Sequence, residues 1–215
     1  MTTNIFNTIV YYKYIVFEIN TFGGRVDAAT QIKDAILGTK ILSVAYINRR
    51  AISAGALISL SCEKIYMSGG GLIGAATAVD MSGKKGSEKV ISFMREEMAS
   101  TAEKRGRSKD IARGMVDEEL AFTHLVINGD SVLVDDIEGQ KEGKLISLTT
   151  DQAIKYGIAD GSAETIDALL DSLGYSDMLS EILSSLSKLS TKLTYTLCLQ
   201  DNTSDISIAR VVQHY

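Results

Sequence analysis

Residues 41–61 read ILSVAYINRRAISAGALISLS, and this stretch decides the fold. The run Ile41 to Ile47 is short, apolar and rich in β-branched residues, which is typical of a buried strand. Small and apolar residues from Ser53 to Ser61 predict a short, tightly packed helix. The turn between the two elements holds a lone serine, Ser53, whose hydroxyl could project from the helix N-terminus.

A second strand, turn and helix of the same kind lies upstream. Tyr14 to Ile19 predicts a buried strand, the pair Gly23-Gly24 a tight turn, and Val26 to Leu37 a helix. Glycine amides in such a turn can approach a ligand closely because no Cβ blocks them. A serine facing this backbone edge supplies a nucleophile and an oxyanion hole, the minimum for acyl transfer.

The following residues continue the alternation of strands and helices, so we predict an α/β fold. Two successive strand–helix–strand units imply a parallel sheet with right-handed crossovers. Further predicted strands are 64–67, 122–134 with a turn at 128–129, 144–148 and 158–160, and further helices are 87–105, 109–116, 150–155 and 163–173.

Beyond Gly174 the composition changes. A heptad-like stripe from Leu179 to Leu197 predicts an amphipathic helix docked on its own domain or on a neighbour. The polar end, Gln200 to Tyr215, is expected to be frayed. We therefore divide the chain into a domain of residues 1–173 and an amphipathic or disordered tail of residues 174–215.

The bulk composition excludes several classes of function. The net charge is −5, so we expect no nucleic-acid partner, and the basic clusters at 84–85 and 104–109 are expected to be solvated. Two cysteines and two histidines are too few for a disulfide framework or a zinc site, and we expect neither metal nor cofactor. No export signal or apolar run of membrane-spanning length is seen, which predicts soluble behaviour.

Several motifs together resemble one known family. RAISAGALISL (50–60), then GLIGAATAV (71–79), looks like the NfeD family of ClpP-class serine proteases, also called stomatin-operon partner or membrane-bound ClpP-class proteases. INTFGGRVDAA (19–29) resembles the glycine turn of that family. LTTDQAIKYGIADG (148–161) resembles a segment that recurs in ClpP and in signal-peptide peptidases.

The resemblance implies a ClpP/crotonase-like fold of stacked βαβ units with outer helices, and a serine endopeptidase domain over residues 1–173. It implies that Ser53 is the nucleophile and that the amides of Gly23 and Ala54 form the oxyanion hole. The expected substrate is an apolar segment of a peptide or protein, held as an added strand beside Gly23. The resemblance also implies a stomatin-like membrane protein as partner, a membrane-associated location and a homo-oligomer.

The catalytic base stays open. Related proteases use a lysine, whose amine must be neutral near pH 7. Alignment of the long helix on the family places that lysine at Ala99, which cannot take a proton. Arg95 lies one turn away on the same face, but a guanidinium is a poor base. Lys84 or Lys85, in the loop before the helix, could fold back over the serine.

Alternatives remain for the function and for single residues. Without a base, the chain would be a catalytically lapsed scaffold that binds peptides or assembles. A crotonase-type acyl-CoA enzyme would also use two backbone amides, but no CoA phosphate site or acid/base carboxylates are clearly placed. Ser53 could be only a helix N-cap. Asp117 and the two glutamates after it are expected to be a solvated turn.

Overall fold

The computed structural model describes residues 14–79, 83–127, 129–137, 139 and 141–174, together with the backbone of residues 206–212. Its strands are β1 (Tyr14–Thr21), β2 (Leu42–Ile52), β3 (Lys64–Met67), β4 (Leu72–Gly74), β5 (His124–Ile127), β6 (Asp130–Leu133), β7 (Ser147–Thr149), β8 (Gly161–Ser162) and β9 (Ile206–Val212). Its helices are α1 (Val26–Gly38), α2 (Ala54–Ser61), α3 (Glu88–Lys104), α4 (Lys109–Gly114), α5 (Thr150–Lys155) and α6 (Ile166–Ser172).

Strand β2 organises the main sheet. The order is β7-β4-β2-β1-β9, and β3 also pairs with β2 and leads on to β8. Every pair in this sheet is parallel except β4 with β7, which confirms the predicted parallel arrangement. Strands β5 and β6 form a separate antiparallel pair. Beside β1, β2 pairs with β3 through its first half and with β4 through its last three residues. This change of partner curls the sheet and carries the chain forward to Ser53.

Helix α2 is the centre of the larger core. All eight of its residues are buried, and α1 and α3 pack against the same side of the sheet. Close packing requires small residues here, since a Cβ on Gly55 would lie 2.6 Å from Cγ2 of Thr21. A smaller apolar cluster, formed mainly by β1, β2 and α6, covers the opposite face. The sheet is therefore enclosed between helical layers, as the βαβ pattern predicts.

The end of the described chain differs from the prediction. Residues 206–212 form β9, which pairs in parallel with β1 from Tyr14 to Asn20. The expected frayed end is therefore wrong over these residues, whose sequence ISIARVV has strand character. The stripe from Leu179 to Leu197 lies outside the described residues, as does the start of the chain, and the domain boundary at residue 173 stays a prediction.

Smaller differences have local causes. The predicted strand at 158–160 is instead the closure of α5, where the N–H groups of Ile158 and Ala159 donate to the carbonyl of Ala153. The sheet resumes at β8, residues 161–162. The basic cluster 104–109 is not fully solvated, because Arg107 is only 8% exposed. No helix in the described ranges has the length and apolar character that crossing a membrane requires.

Candidate active site

Ser53 occupies a strained junction between β2 and α2. Its backbone angles are φ 56° and ψ −117°, a region that residues with a side chain rarely adopt. Such a conformation costs about 1–3 kcal/mol and persists only where the surroundings fix it. Here the Ser53 N–H donates to the carbonyl of Gly74 at 3.0 Å, and the Ser53 carbonyl accepts from the N–H of Ala56 at 2.9 Å. The strain is thus held from both sides.

The hydroxyl of Ser53 does not cap the helix that follows it. The side chains of Ser108, Thr149 and Thr165 each accept a backbone N–H at the start of their helices. Ser53 stands at the same position of α2 but makes no such bond. Among the described residues its hydroxyl has no hydrogen-bond partner at all. Ser53 is thus the N-cap residue of α2 by position only, and its hydroxyl is left available to an incoming ligand.

The two glycine-containing turns meet. Gly23 has φ 130°, and a Cβ built on it would lie 2.8 Å from Cβ and 3.2 Å from Oγ of Ser53. Only glycine fits this contact without a shift of the serine. A Cβ on Gly24 would lie 3.9 Å from Cβ of Ala54. The structure thus brings together three of the predicted site residues, Gly23, Ser53 and Ala54.

The amides around Ser53 are not equally free. Ala54 is the first residue of α2, so its N–H has no partner within the helix. The N–H of Gly23, in contrast, donates to Oγ1 of Thr21 at 3.0 Å. That hydroxyl in turn donates to the carbonyl of Gly23 at 3.1 Å. The sequence did not indicate a role for Thr21. In the structure its hydroxyl accepts the Gly23 N–H that was predicted to bind the oxyanion.

The lysines proposed as the base lie in an exposed loop. The amine of Lys85 donates to a carboxylate oxygen of Glu118 at 3.1 Å. This hydrogen bond is the main reason that the pKa of Lys85 is raised, whereas a general base needs a lowered pKa. Lys84 is also exposed. Ala99, where the family alignment places the lysine, is buried in α3 with 2% of its surface exposed.

Asp117 is buried and is not part of a solvated turn. One of its carboxylate oxygens accepts the N–H of Glu119 at 3.0 Å, and the other pairs with Arg95. Burial raises the pKa of Asp117, but the Glu119 amide and the Arg95 charge outweigh it, and the pKa falls below its ordinary value. The pair fixes α3 to the segment that follows α4, since Arg95 belongs to α3.

A second ion pair joins α3 to α1. The amine of Lys33, on the buried face of α1, lies 2.6 Å from a carboxylate oxygen of Glu97 and 2.7 Å from one of Asp34. Burial lowers the pKa of Lys33, yet the two carboxylates together raise it above its ordinary value. The burial of Lys33 could have been predicted from the sequence, because Lys33 falls on the same helix face as the apolar residues Ala29 and Ile36. With a raised pKa, this amine is also unsuited to act as a base.

Other chemistries find little support around the site. Within the part of the chain that the structure describes, no group of three or more His, Cys, Asp or Glu side chains could hold a metal ion. Burial raises the pKa of the Cys62 thiol to about 12, so this cysteine is not a nucleophile near neutral pH.

Comparison with known proteins identifies the relatives. The family of NfeD1b N-terminal domains matches residues 10–182. The chain belongs to the NfeD family. Membrane protein NfeD1b of Bacillus subtilis is 35% identical to this NfeD-family chain over 162 residues, 75% of this chain and 34% of that protein. Membrane-bound protease PH1510 of Pyrococcus horikoshii is 28% identical over 164 residues, 73% of this chain and 31% of that protein.

This NfeD-family chain thus spans about one third of the length of these curated relatives. Among solved structures, this chain is similar to the 1510-N membrane-bound stomatin-specific protease. That protein was solved as a lysine-to-alanine mutant in complex with a substrate peptide. The TM-score is 0.58 at 22% identity, and the match covers 94% of this chain and 79% of that one. This likeness confirms the predicted ClpP-like fold for the NfeD-family chain.

Proposed function

We propose that this chain acts as a serine peptidase of the ClpP class, with Ser53 as the nucleophile. The observation that carries the proposal is the strained backbone of Ser53, whose unbonded hydroxyl lies against Gly23. Strain of this kind concentrates at functional sites because a purely structural role does not need it. Relatives named as membrane-bound proteases support the same class of activity.

In the proposed reaction, Oγ of Ser53 attacks the carbonyl carbon of a peptide bond. Its proton passes to the base and then to the departing amine, and water later hydrolyses the acyl-enzyme. The N–H of Ala54 and a donor from the glycine turn would bind the oxyanion. Gly23 can serve only if its N–H leaves Thr21, so Gly24, which lies beside Ala54, is the alternative donor.

The substrate and the partners follow from the same proposal. An apolar peptide segment would lie extended beside Gly23, as an added strand. The relative 1510-N is named stomatin-specific, and the other two are named membrane proteins, which supports a stomatin-like membrane protein as partner and a location at the membrane. Assembly into a homo-oligomer is part of the proposal.

The direct test is labelling by a fluorophosphonate probe between pH 6 and pH 10, with Ser53→Ala as control. The proposal expects labelling of the wild type that increases with pH and is absent from Ser53→Ala. Ser108→Ala is a matched control, because Ser108 is a helix-capping serine and its loss should leave labelling unchanged. Equal labelling of wild type and Ser53→Ala, or of neither, would contradict the nucleophile assignment.

A second candidate function is the catalytically lapsed scaffold. Two observations favour it: Ala99 is buried where the family alignment places the lysine, and Lys85 is held by Glu118 with a raised pKa. The scaffold would bind peptides beside Gly23 without cutting them. Peptide binding of equal strength in wild type and Ser53→Ala, without labelling or turnover, would favour the scaffold over the peptidase.

A further inference from the structure

Two backbone amides beside Ser53 have no partner in the part of the chain that the structure describes. The N–H of Ala54 lies at the start of α2, where no carbonyl of the helix can accept it. The N–H of Gly24 forms no hydrogen bond with any described residue. The two residues are neighbours, since a Cβ on Gly24 would lie 3.9 Å from Cβ of Ala54. They supply a pair of unbonded donors next to the candidate nucleophile.

The peptide unit between Gly23 and Gly24 has no fixed orientation of its own. Glycine stands on both sides of it, so no Cβ limits its rotation. If the unit turned over, the Gly23 carbonyl oxygen would take the place of the Gly24 N–H. That oxygen carries the negative end of the peptide dipole and would repel an oxyanion. An oxyanion donor in this turn therefore needs a contact that fixes the unit.

Thr21 provides such a contact. Its Oγ1 donates to the carbonyl of Gly23 at 3.1 Å and accepts the N–H of Gly23 at 3.0 Å. In a trans peptide unit the C=O and the following N–H point in opposite directions. The carbonyl held by Thr21 therefore directs the N–H of Gly24 away from Thr21. The same hydroxyl occupies the N–H of Gly23, so Gly24 is left as the donor of the turn.

Thr21 is itself fixed by its surroundings. It is the last residue of β1, it pairs with Ala51 of β2, and 5% of its surface is exposed. Its Cγ2 methyl lies against α2, where a Cβ on Gly55 would be 2.6 Å away. Gly55 directly follows Ala54, which carries the other unbonded amide. Thr21 thus contacts the helix of one donor through its methyl and the turn of the other through its hydroxyl.

We propose that Thr21 is a positioning residue. It holds the peptide unit between Gly23 and Gly24 so that the amides of Gly24 and Ala54 together bind the oxyanion formed at Ser53. This inference rests on the proposed peptidase function and assigns the second oxyanion donor to Gly24. A donor of this kind acts when charge develops on the oxygen, so loss of the Thr21 hydroxyl should slow the chemical step and leave ligand binding nearly unchanged.

Four side chains at position 21 separate the hydroxyl from the methyl. Thr and Val share the methyl that contacts Gly55 and differ in the hydroxyl, whereas Ser and Ala lack that methyl and differ in the hydroxyl in the same way. Each variant is made in the full chain, and urea denaturation checks that it folds. Labelling by the fluorophosphonate probe is then followed over a range of concentrations, which gives the dissociation constant of the probe and the maximal rate of labelling separately.

The probe reports on the oxyanion site because of its own chemistry. Oγ of Ser53 forms a bond to phosphorus, fluoride leaves, and the proton of the hydroxyl passes to the base. The phosphonyl oxygen takes the place of the oxyanion, so a misplaced donor should lower the maximal rate.

The hydroxyl should decide the rate in both pairs. Thr21→Val should lower the maximal rate by about 10- to 100-fold, part of the cost of losing a whole oxyanion donor, and change the dissociation constant by less than about twofold. Thr21→Ser should stay within about threefold of wild type, because it keeps the hydroxyl on a less restricted χ1. Thr21→Ala should label as slowly as Thr21→Val. Thr165→Val is the control, since Thr165 also accepts a backbone N–H, but at the start of α6, and its loss should leave the rate unchanged.

Other outcomes would overturn the inference. An unchanged rate in Thr21→Val, or a higher one because the N–H of Gly23 is released, would leave Ser53 as nucleophile and remove the role of Thr21. A faster Thr21→Val than Thr21→Ser would show that the methyl contact matters and the hydroxyl does not. If Thr21→Val fails to fold, the Ser and Ala variants carry the same comparison. A wild type that does not label at all would remove the peptidase proposal and this inference together.

Discussion

Two regions of the molecule carry motifs of the NfeD resemblance and treat their polar groups in opposite ways. In the serine turn, formed by Gly23, Gly24, Ser53 and Ala54, a hydroxyl is unbonded and the backbone is strained. The second region is called the arginine bracket here and consists of Arg107, Asp160 and the backbone carbonyls to which Arg107 donates. Its polar groups are paired. The guanidinium bonds to carbonyls of 62, 63 and 158 at 2.9–3.1 Å and to Asp160 at 3.2 Å.

The two regions differ in what their polar residues contribute to the molecule. Asp160 also accepts the N–H of Ile65 at 2.9 Å, so the bracket joins α2, β3 and the chain before β8. Burial lowers the pKa of Arg107, and Asp160 opposes that shift. A bracket of this kind stabilises the fold, whereas the serine turn carries backbone strain and leaves a half-buried hydroxyl unbonded. The predictions below test this division.

The largest expected effect is the loss of the arginine bracket. Arg107→Met should lower the free energy of unfolding by about 3–5 kcal/mol, because it leaves three backbone carbonyls without their charged donor. Asp160 keeps Lys64 and the N–H of Ile65 as partners. Urea denaturation measures the loss. Arg113→Met is the control, since Arg113 forms an exposed pair with Glu96 and should cost less than about 1 kcal/mol. Similar losses in the two variants would show that Arg107 has no special structural role.

The second prediction asks what the serine turn lacks. Ala99→Lys places an amine where the family alignment has one, and burial there should lower its pKa and favour the neutral form. Fluorophosphonate labelling at pH 7 should become faster by about 10²-fold or more, which is the usual contribution of a general base.

The control for this variant has a side chain of similar size without a titrating group. Ala99→Met should fold at least as well as Ala99→Lys and should label no faster than wild type. If both variants label at the wild-type rate, position 99 does not face Ser53, or the base of this chain lies elsewhere. If only Ala99→Lys accelerates, the serine turn is competent and the missing base is the defect.

The sequence predicted the serine turn well for a simple reason. Parallel strands end at the same edge of a sheet, so the turns after β1 and β2 had to meet there. Strand, glycine turn and helix signals are local, and they placed Gly23 and Ser53 without knowledge of the rest. The strain of Ser53 could not be read in advance, because it depends on hydrogen bonds to Gly74 and to the first turn of α2.

The arginine bracket escaped prediction because its contacts are distant along the chain. Arg107 stood in a basic cluster that looked solvated, and its carboxylate partner Asp160 lies 53 residues away. The same holds for Arg95 with Asp117, and for β9, which pairs with β1 from the far end of the chain. Such pairings follow from tertiary packing, which composition and periodicity do not encode.

The third prediction measures the strain in the serine turn. Glycine adopts positive φ at no steric cost, whereas alanine shares the strain of serine. Ser53→Gly should therefore be more stable than Ser53→Ala by about 1 kcal/mol, after the entropy cost of glycine in the unfolded chain is included. Ser108→Gly against Ser108→Ala is the control, because Ser108 has an ordinary extended φ of −62°. A Ser53→Gly variant less stable than Ser53→Ala would argue against stored strain.

The smallest expected effect concerns the ion pair of Arg95 and Asp117, which fixes α3 to the segment that follows α4. Because the folded pKa of Asp117 is below its ordinary value, its charged form stabilises the native state. That contribution is fully present above the unfolded pKa and is lost as the pH falls through the folded pKa. Asp117→Asn should cost about 0.5 kcal/mol at pH 7 although the site is buried, since the amide oxygen can still accept the N–H of Glu119 and Arg95 keeps Glu88 and Glu96 as partners.

The pH dependence distinguishes this charge effect from a packing effect. The difference in unfolding free energy between wild type and Asp117→Asn should shrink as the pH falls below the ordinary carboxyl pKa of about 4, because the carboxylate of the unfolded chain takes up a proton there. The native carboxylate stays charged down to its lower folded pKa. Glu119→Gln is the control, because it removes the same charge from an exposed neighbour. A difference that stays constant from pH 7 to pH 3 would mean that Asp117 contributes by shape and hydrogen bonding alone, and Arg95 would then be a poor anchor for α3 beside the serine turn.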